Sequence, residues 1–154
     1  MTAELVDYME SGVSLLVGSR DALLRPASAR GFGIEIDALG CTATVFLPAA
    51  GADLTLSNLR DNGQIALTFS RGLDHRSLQV KGLVLSIRET DERQQRLQAR
   101  YFELFYEGLV FIGQQHKVLR RVRYSPSYAV QFQIASMFDQ TPGPGAGRIA
   151  SVAP

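Results

Sequence analysis

"LLRPASARGFGIEID", residues 23–37, is the stretch on which the fold turns. It follows a turn at "SRDA" (19–22) and reads as a strand with a kink, because Pro26 cannot donate a ladder hydrogen bond, and Gly31 and Gly33 free the backbone from the limits that a Cβ imposes. A straight central strand would carry none of the three. The stretch therefore reads as an edge strand or as a bent strand of a barrel.

Working outward, Thr2 can cap a short helix in which Leu5, Tyr8 and Met9 recur at helical spacing, and Gly12 closes it before the first strand, "VSLLVGS" (13–19). On the other side, "DALG" (37–40) is a turn into "CTATVFLP" (41–48), where Cys41, Ala43, Val45 and Leu47 alternate with Thr42, Thr44 and Phe46, the signature of a hairpin. Asp53 is a suitable cap for a helix over "LTLSNLRDN" (54–62), Gly63 ends it, and "QIALTFS" (64–70) follows as a strand.

"DHRSLQVKG" (74–82) opens a fifth strand that runs to about Arg88. Arg76, Leu78, Val80 and Gly82 fall on one face; the other begins with Ser77, Gln79 and Lys81 and continues as Leu83, Leu85 and Ile87. A half-exposed strand keeps one character throughout, so the first half of this face borders solvent or a polar ligand. From Asp91 to about Tyr106 the spacing of Leu97, Tyr101, Leu104 and Phe105 predicts an amphipathic helix, and a shorter helix is expected over "QQHKVLRRVRY" (114–124). "SYAVQFQIASMF" (127–138) alternates again as the last strand, and the tail, 139–154, is too dense in proline and glycine for regular structure. The expectation is an α+β protein, mainly β, folded as one domain over 1–154: a six-stranded antiparallel barrel, closed or split, with an irregular tail.

A length of 154 residues with 45% hydrophobic content suffices for a real core, and a net charge of +1 gives no overall field toward nucleic acid or an anionic membrane. The single cysteine, Cys41, excludes an internal disulfide framework and a cysteine-rich metal cluster, and its expected role is a buried small hydrophobe. No apolar run approaches the roughly 18 to 20 residues of a membrane span, so a cytoplasmic, unexported protein is expected. His75 and His116 are the only histidines, far apart and without the spacing of metal ligands; Asp74 beside His75 does not make a catalytic triad, and "GPGAGR" leads into no helix and is no phosphate loop. The basic run "HKVLRRVRY" reads as the solvated face of a helix. What remains is a set of cations distributed over strands: Arg25, Arg30, Arg76 and Lys81. Each must reach solvent, a carboxylate or an anionic ligand.

The order helix, "GVSLLVGSRDALLRPASARGFGIEID", "TATVFLP", helix, "LRDNGQIALTFSRGLDHRSLQVKG" resembles the pyridoxamine 5'-phosphate oxidase-related proteins, the FMN-binding split barrels, and "SYAVQFQIASMFDQTPGPGAG" is similar to the carboxyl end of a bacterial subgroup. The resemblance implies a homodimer with flavins in clefts between the subunits, acting as an oxidoreductase on a small molecule. It makes the polar half of the fifth strand a cofactor wall and returns the oily half to the core. It assigns Arg25, Pro26, Ser28 and Arg30 to the strand along the flavin, Phe46, Leu47 and Pro48 to the strand passing the ring, and Arg76 and Ser77, with Gln79 and Lys81, to the later polar strand. It names no catalytic acid or base. True pyridoxamine phosphate oxidases place adjacent Arg and Lys before the second helix; this chain has "PAAGADLTL", with Asp53 and no cation, which points to a related flavoprotein rather than that enzyme. Other split barrels hold haem, for which His75 or His116 would be the ligand, and a deazaflavin or a cofactor-free dimeric binding module complete the alternatives.

Overall fold

In a computed structural model, residues 1–115 and 122–151 are described. Helix α1 (Ala3–Glu10) leads into strands β1 (Ser14–Arg20), β2 (Pro26–Gly31), β3 (Ile34–Ile36) and β4 (Thr42–Pro48); α2 (Asp53–Asn62) precedes β5 (Gln64–Ser70) and β6 (Ser77–Glu89); α3 (Glu92–Phe111) is followed by β7 (Ser127–Asp139) and β8 (Arg148–Ser151). Every pairing is antiparallel, in the order β2-β1-β5-β6-β7-β4-β3, with β8 on β7.

The two ends of that order are consecutive in the chain. β2 pairs with β1, β3 pairs with β4, and between them the Phe32 N–H donates to Phe46 O at 2.9 Å while the Phe46 N–H donates to Gly33 O at 3.0 Å. One bent stretch thus joins both ends of the curled sheet. Gly33 makes the bend at φ 118°, where L side chains are strained, and a Cβ there would sit 2.9 Å from Cδ2 of the buried Phe46 ring.

Among the described residues eight strands replace the six expected, for two reasons. The bend divides residues 23–37 into β2 and β3, and the tail is not wholly irregular: after the turns of 140–147, β8 takes its hydrogen bonds from β7. The expected helix over 114–124 falls largely on residues 116–121, outside the described residues.

Caps follow the sequence closely. The Thr2 hydroxyl accepts from the Leu5 N–H, Gly63 ends α2 in the left-handed conformation, and Asp91 and Gln94 form a reciprocal capping box at α3. Asp53 is a correction: it is the first helical residue, and Ala52, with no capping side chain, precedes it. The barrel interior holds Leu15, Val17, Val45, Leu47, Leu67, Phe69, Val80, Val130 and Phe132, all almost wholly buried, each contributing about 1.5–3 kcal/mol on removal from water. Helix α3 lies over the outside. Its Tyr101 hydroxyl donates to Val13 O at 2.7 Å, and Phe32 packs edge-on against its Phe102 and Phe105. Cys41 is half-buried rather than part of this core.

The β5–β6 turn is held by charge. Arg71 grips both oxygens of Asp74, which also accepts from the Arg76 N–H at 3.1 Å. These bonds, the guanidinium first, hold the Asp74 carboxyl down at about 2, below the ordinary carboxylate range.

Gly33→Ala should lower stability by about 2 kcal/mol or more in urea unfolding; an unchanged midpoint contradicts closure through a left-handed bend. Because the folded-state value of Asp74 is depressed, its contribution is full above about pH 4 and fades as pH falls through about 2. The gap in melting midpoint between wild type and Asp74→Asn should therefore narrow from pH 7 toward pH 2, and a constant gap would show that the ionised pair does not hold the turn.

Candidate functional site: an outward groove on the sheet

Alternation sends Leu15, Val17, Ala29, Leu67, Phe69, Leu78 and Val80 inward and leaves their neighbours on the outer face of β2, β1, β5 and β6. The registers arrange these neighbours in rows. One row runs Ser28, Gly18, Ala66, Lys81; the next runs Arg30, Leu16, Thr68, Gln79; the last is Ser14, Ser70, Ser77. At the centre of the first row, Gly18 and Ala66 put almost no side chain above the sheet. The result is a groove of about 820 Å³ with Arg20, Ser28, Gln64 and Lys81 around it.

The cations separate into two classes. Arg25 pairs with Asp21 at 2.6 Å, and Arg76 pairs with Glu4 at 2.9 Å while lying 4.7 Å from the centre of the Tyr8 ring. Burial raises the Tyr8 hydroxyl above its ordinary value against the opposing pull of Arg71 and Arg76, so it stays protonated and donates to Arg76 O at 2.6 Å. By contrast, Arg20, Arg30 and Lys81 have no carboxylate within 4.0 Å among the described residues. Arg20 donates to Asp21 O, Arg30 donates to the Ser14 hydroxyl at 3.1 Å and lies over Phe105, and the Lys81 ammonium lies over Phe138. Such cations in an open groove, beside hydroxyl and amide donors, are suited to an anion such as a phosphate.

Of the residues singled out from sequence, Pro26, Ser28 and Lys81 line the groove, and Arg30 and Gln79 lie in the adjoining row. Ser77 is in the row beyond, its hydroxyl 3.0 Å from that of Ser70. Arg25 and Arg76 are engaged with acids at the margins. Phe46, Leu47 and Pro48 are buried: Leu47 belongs to the barrel core, and Phe46 is packed at the Gly33 bend near α3. Asp53 is exposed at the start of α2 and does not line the groove.

The change of character along β6 also has a structural cause. Ser77, Gln79 and Lys81 face outward, and so do Leu83 and Leu85, which are 52% and 54% exposed rather than returned to the core. Between Val84 and Ser86 the register slips by one residue, making Leu85 an extra residue that reverses the alternation, so that Ile87 packs against the core.

The sequence reading missed Gly18, Arg20, Gln64 and Ala66. The available signal was Gly18 inside the apolar run "LLVGSR", a mark of close approach to a strand, with Arg20 in the same phase. Among the described residues no three His, Cys, Asp or Glu side chains converge so as to hold a metal ion. His75 lies in the β5–β6 turn, and His116 is outside the described residues. No helix among the described residues is long and apolar enough to cross a membrane.

No protein-family model matches the chain, and no curated protein sequence matches it. Solved structures do. HupZ of Group A Streptococcus is 18% identical with a TM-score of 0.58, covering 96% of this chain and 99% of that one. A putative pyridoxamine 5'-phosphate oxidase from Lactobacillus delbrueckii is 14% identical with a TM-score of 0.57, covering 90% and 93%. An FMN-binding protein from Syntrophomonas wolfei is 14% identical with a TM-score of 0.53, covering 98% and 89%. At these identities the likeness is one of fold, and it agrees with the resemblance carried by most of residues 3–90 and by 127–147: the chain folds as a pyridoxamine 5'-phosphate oxidase-like split barrel.

Proposed function

We propose that the groove over Gly18 and Ala66 binds FMN and that the protein is an FMN-dependent oxidoreductase. The observation that carries this reading is the pair Arg20 and Lys81, two cations without carboxylate partners among the described residues, flanking a floor almost bare of side chains. They would neutralise the phosphate dianion, with the Ser28 hydroxyl as an additional donor. Gly18 and Ala66 let a flat molecule approach the backbone. The row of Arg30, Thr68 and Gln79, roughly 7 Å further along the strands, offers donors to the polar edge of a ring. When bound, FMN supplies the hydride or electron transfer, while the chain orients the ring and shields it from water.

The groove is open to one side; the exposed Leu83 lines it, and the exposed Leu85 follows on the same outward face. A second copy of the chain laid on this face would bury both and close the groove, which makes the acting unit a homodimer. The fold shared with a protein described as FMN-binding supports the cofactor. The depletion of cations before α2 weighs less than sequence suggests, because Asp53 does not line the groove.

Lys81→Ala and Arg20→Ala should each weaken FMN about tenfold or more in a flavin-fluorescence titration, whereas Arg25→Ala should change it less than about twofold. Equal effects of all three would remove the groove as the phosphate site. In sedimentation, wild type should be a dimer, and Leu83→Asp with Leu85→Asp should yield monomers that release FMN; monomeric wild type that still retains flavin would refute the shared cleft.

A further inference from the structure

A second cavity, of about 430 Å³, opens where α3 meets the α1–β1 corner and the β5–β6 turn. Its chemistry is opposite to that of the groove. The one arginine in its wall, Arg71, is gripped by Asp74, and the hydroxyls of Ser70 and Ser77 bond to each other. Among the described residues that line it there is no carboxylate and no arginine or lysine other than the paired Arg71. Its mouth is oily, with Leu73 and Phe111 64% and 75% exposed and Leu104 and Ile112 partly so. A cluster of this kind around a concave apolar wall favours a ligand that covers it.

The cavity and the groove are joined on one sheet face. Ser14, Ser70 and Ser77 line the cavity and form the third row of the strip whose first row floors the groove. Arg30 spans the two. Ser28, two residues before it on β2, lines the groove, while its guanidinium reaches the Ser14 hydroxyl and the Phe105 ring, both in the cavity wall.

We propose that this cavity binds a neutral, largely apolar aromatic molecule of bicyclic or tricyclic size, and that this molecule is the substrate presented to the cofactor in the groove. Neutrality follows from the compensated wall. Aromatic character follows from Phe105 and Phe111, whose rings favour aromatic contacts. His75 and Ser77 allow one polar substituent to be recognised. The word substrate rests on the reading of the groove as a flavin site; binding in the cavity does not.

Gly108 supplies the test. It lies on the cavity wall within α3, and a Cβ at that position meets nothing within 4 Å, so Gly108→Leu fills the space with a better helix former. Leu73→Asp, at the exposed rim, places a charge in the mouth without touching the core. Nile red, a neutral fused-ring dye, should bind wild type saturably with enhanced emission. Both variants should bind it about tenfold more weakly or worse, with FMN affinity changed less than about twofold. Absence of saturable binding to wild type, or undiminished binding to Gly108→Leu, overturns the proposal. Nile red binding that depends on Gly108 in a protein that takes no FMN upholds the cavity and sinks the flavin reading instead.

Discussion

The bend at Phe32 and Gly33 is the constraint from which the rest of the structure follows. It lets one stretch of chain pair with β1 on one side and β4 on the other, and so brings the two ends of a seven-strand path together. Closure of this kind leaves the barrel interior to apolar side chains alone and turns every alternate residue outward. Where α3 covers the outside, those residues are aromatic and buried, as Phe32 and Phe46 are. Where nothing among the described residues covers it, over β2, β1, β5 and β6, the outward residues are mostly glycine, alanine, hydroxyls, amides and cations, with Leu16, Leu83 and Leu85 among them.

That division gives one face of the barrel two different chemistries side by side. Over Gly18 and Ala66 the surface is flat, positively charged and open; beneath α3 it becomes a cavity whose charges are already matched. Arg30 stands between them with no carboxylate partner among the described residues, tied instead to Ser14 and Phe105. Desolvating an unpaired guanidinium is costly, so its position at a boundary still open to solvent is the arrangement that physics permits without a ligand.

Much of the fold was legible because it is written locally. Thr2 and Gly63 act at helix ends through side chain or backbone freedom, and Ala43, Val45 and Leu47 turn inward against Thr42 and Thr44 as their alternation requires. Pro26, Gly31 and Gly33 announced a bend, although not that it would split the strand in two. What was hidden depends on distant partners. β8 is a strand because β7 offers its edge, which the prolines before it obscure. Leu85 as a bulge is decided by the register with β7, which no pattern within β6 reveals.

The candidate site was half legible for the same reason. Ser28, Arg30, Gln79 and Lys81 share the phase of their strands and therefore one face. Phe46 has the phase of an outward residue, but α3, more than 40 residues later, takes that face into the interior. The engagement of Arg76 with Glu4 crosses 72 residues and left no trace in either neighbourhood, whereas that of Arg25 with Asp21 lies within a single turn. Arg20 went unnoticed because a terminal arginine on an apolar strand looks like solvated surface until Gly18 and Ala66 are seen beside each other.

The most direct test of the account is the visible absorption spectrum of the purified protein, recorded as isolated and again after incubation with excess FMN and desalting. A retained two-band yellow spectrum is the predicted result and would put flavin on the protein. A colourless protein after loading, or a sharp Soret band in place of the flavin bands, would contradict it.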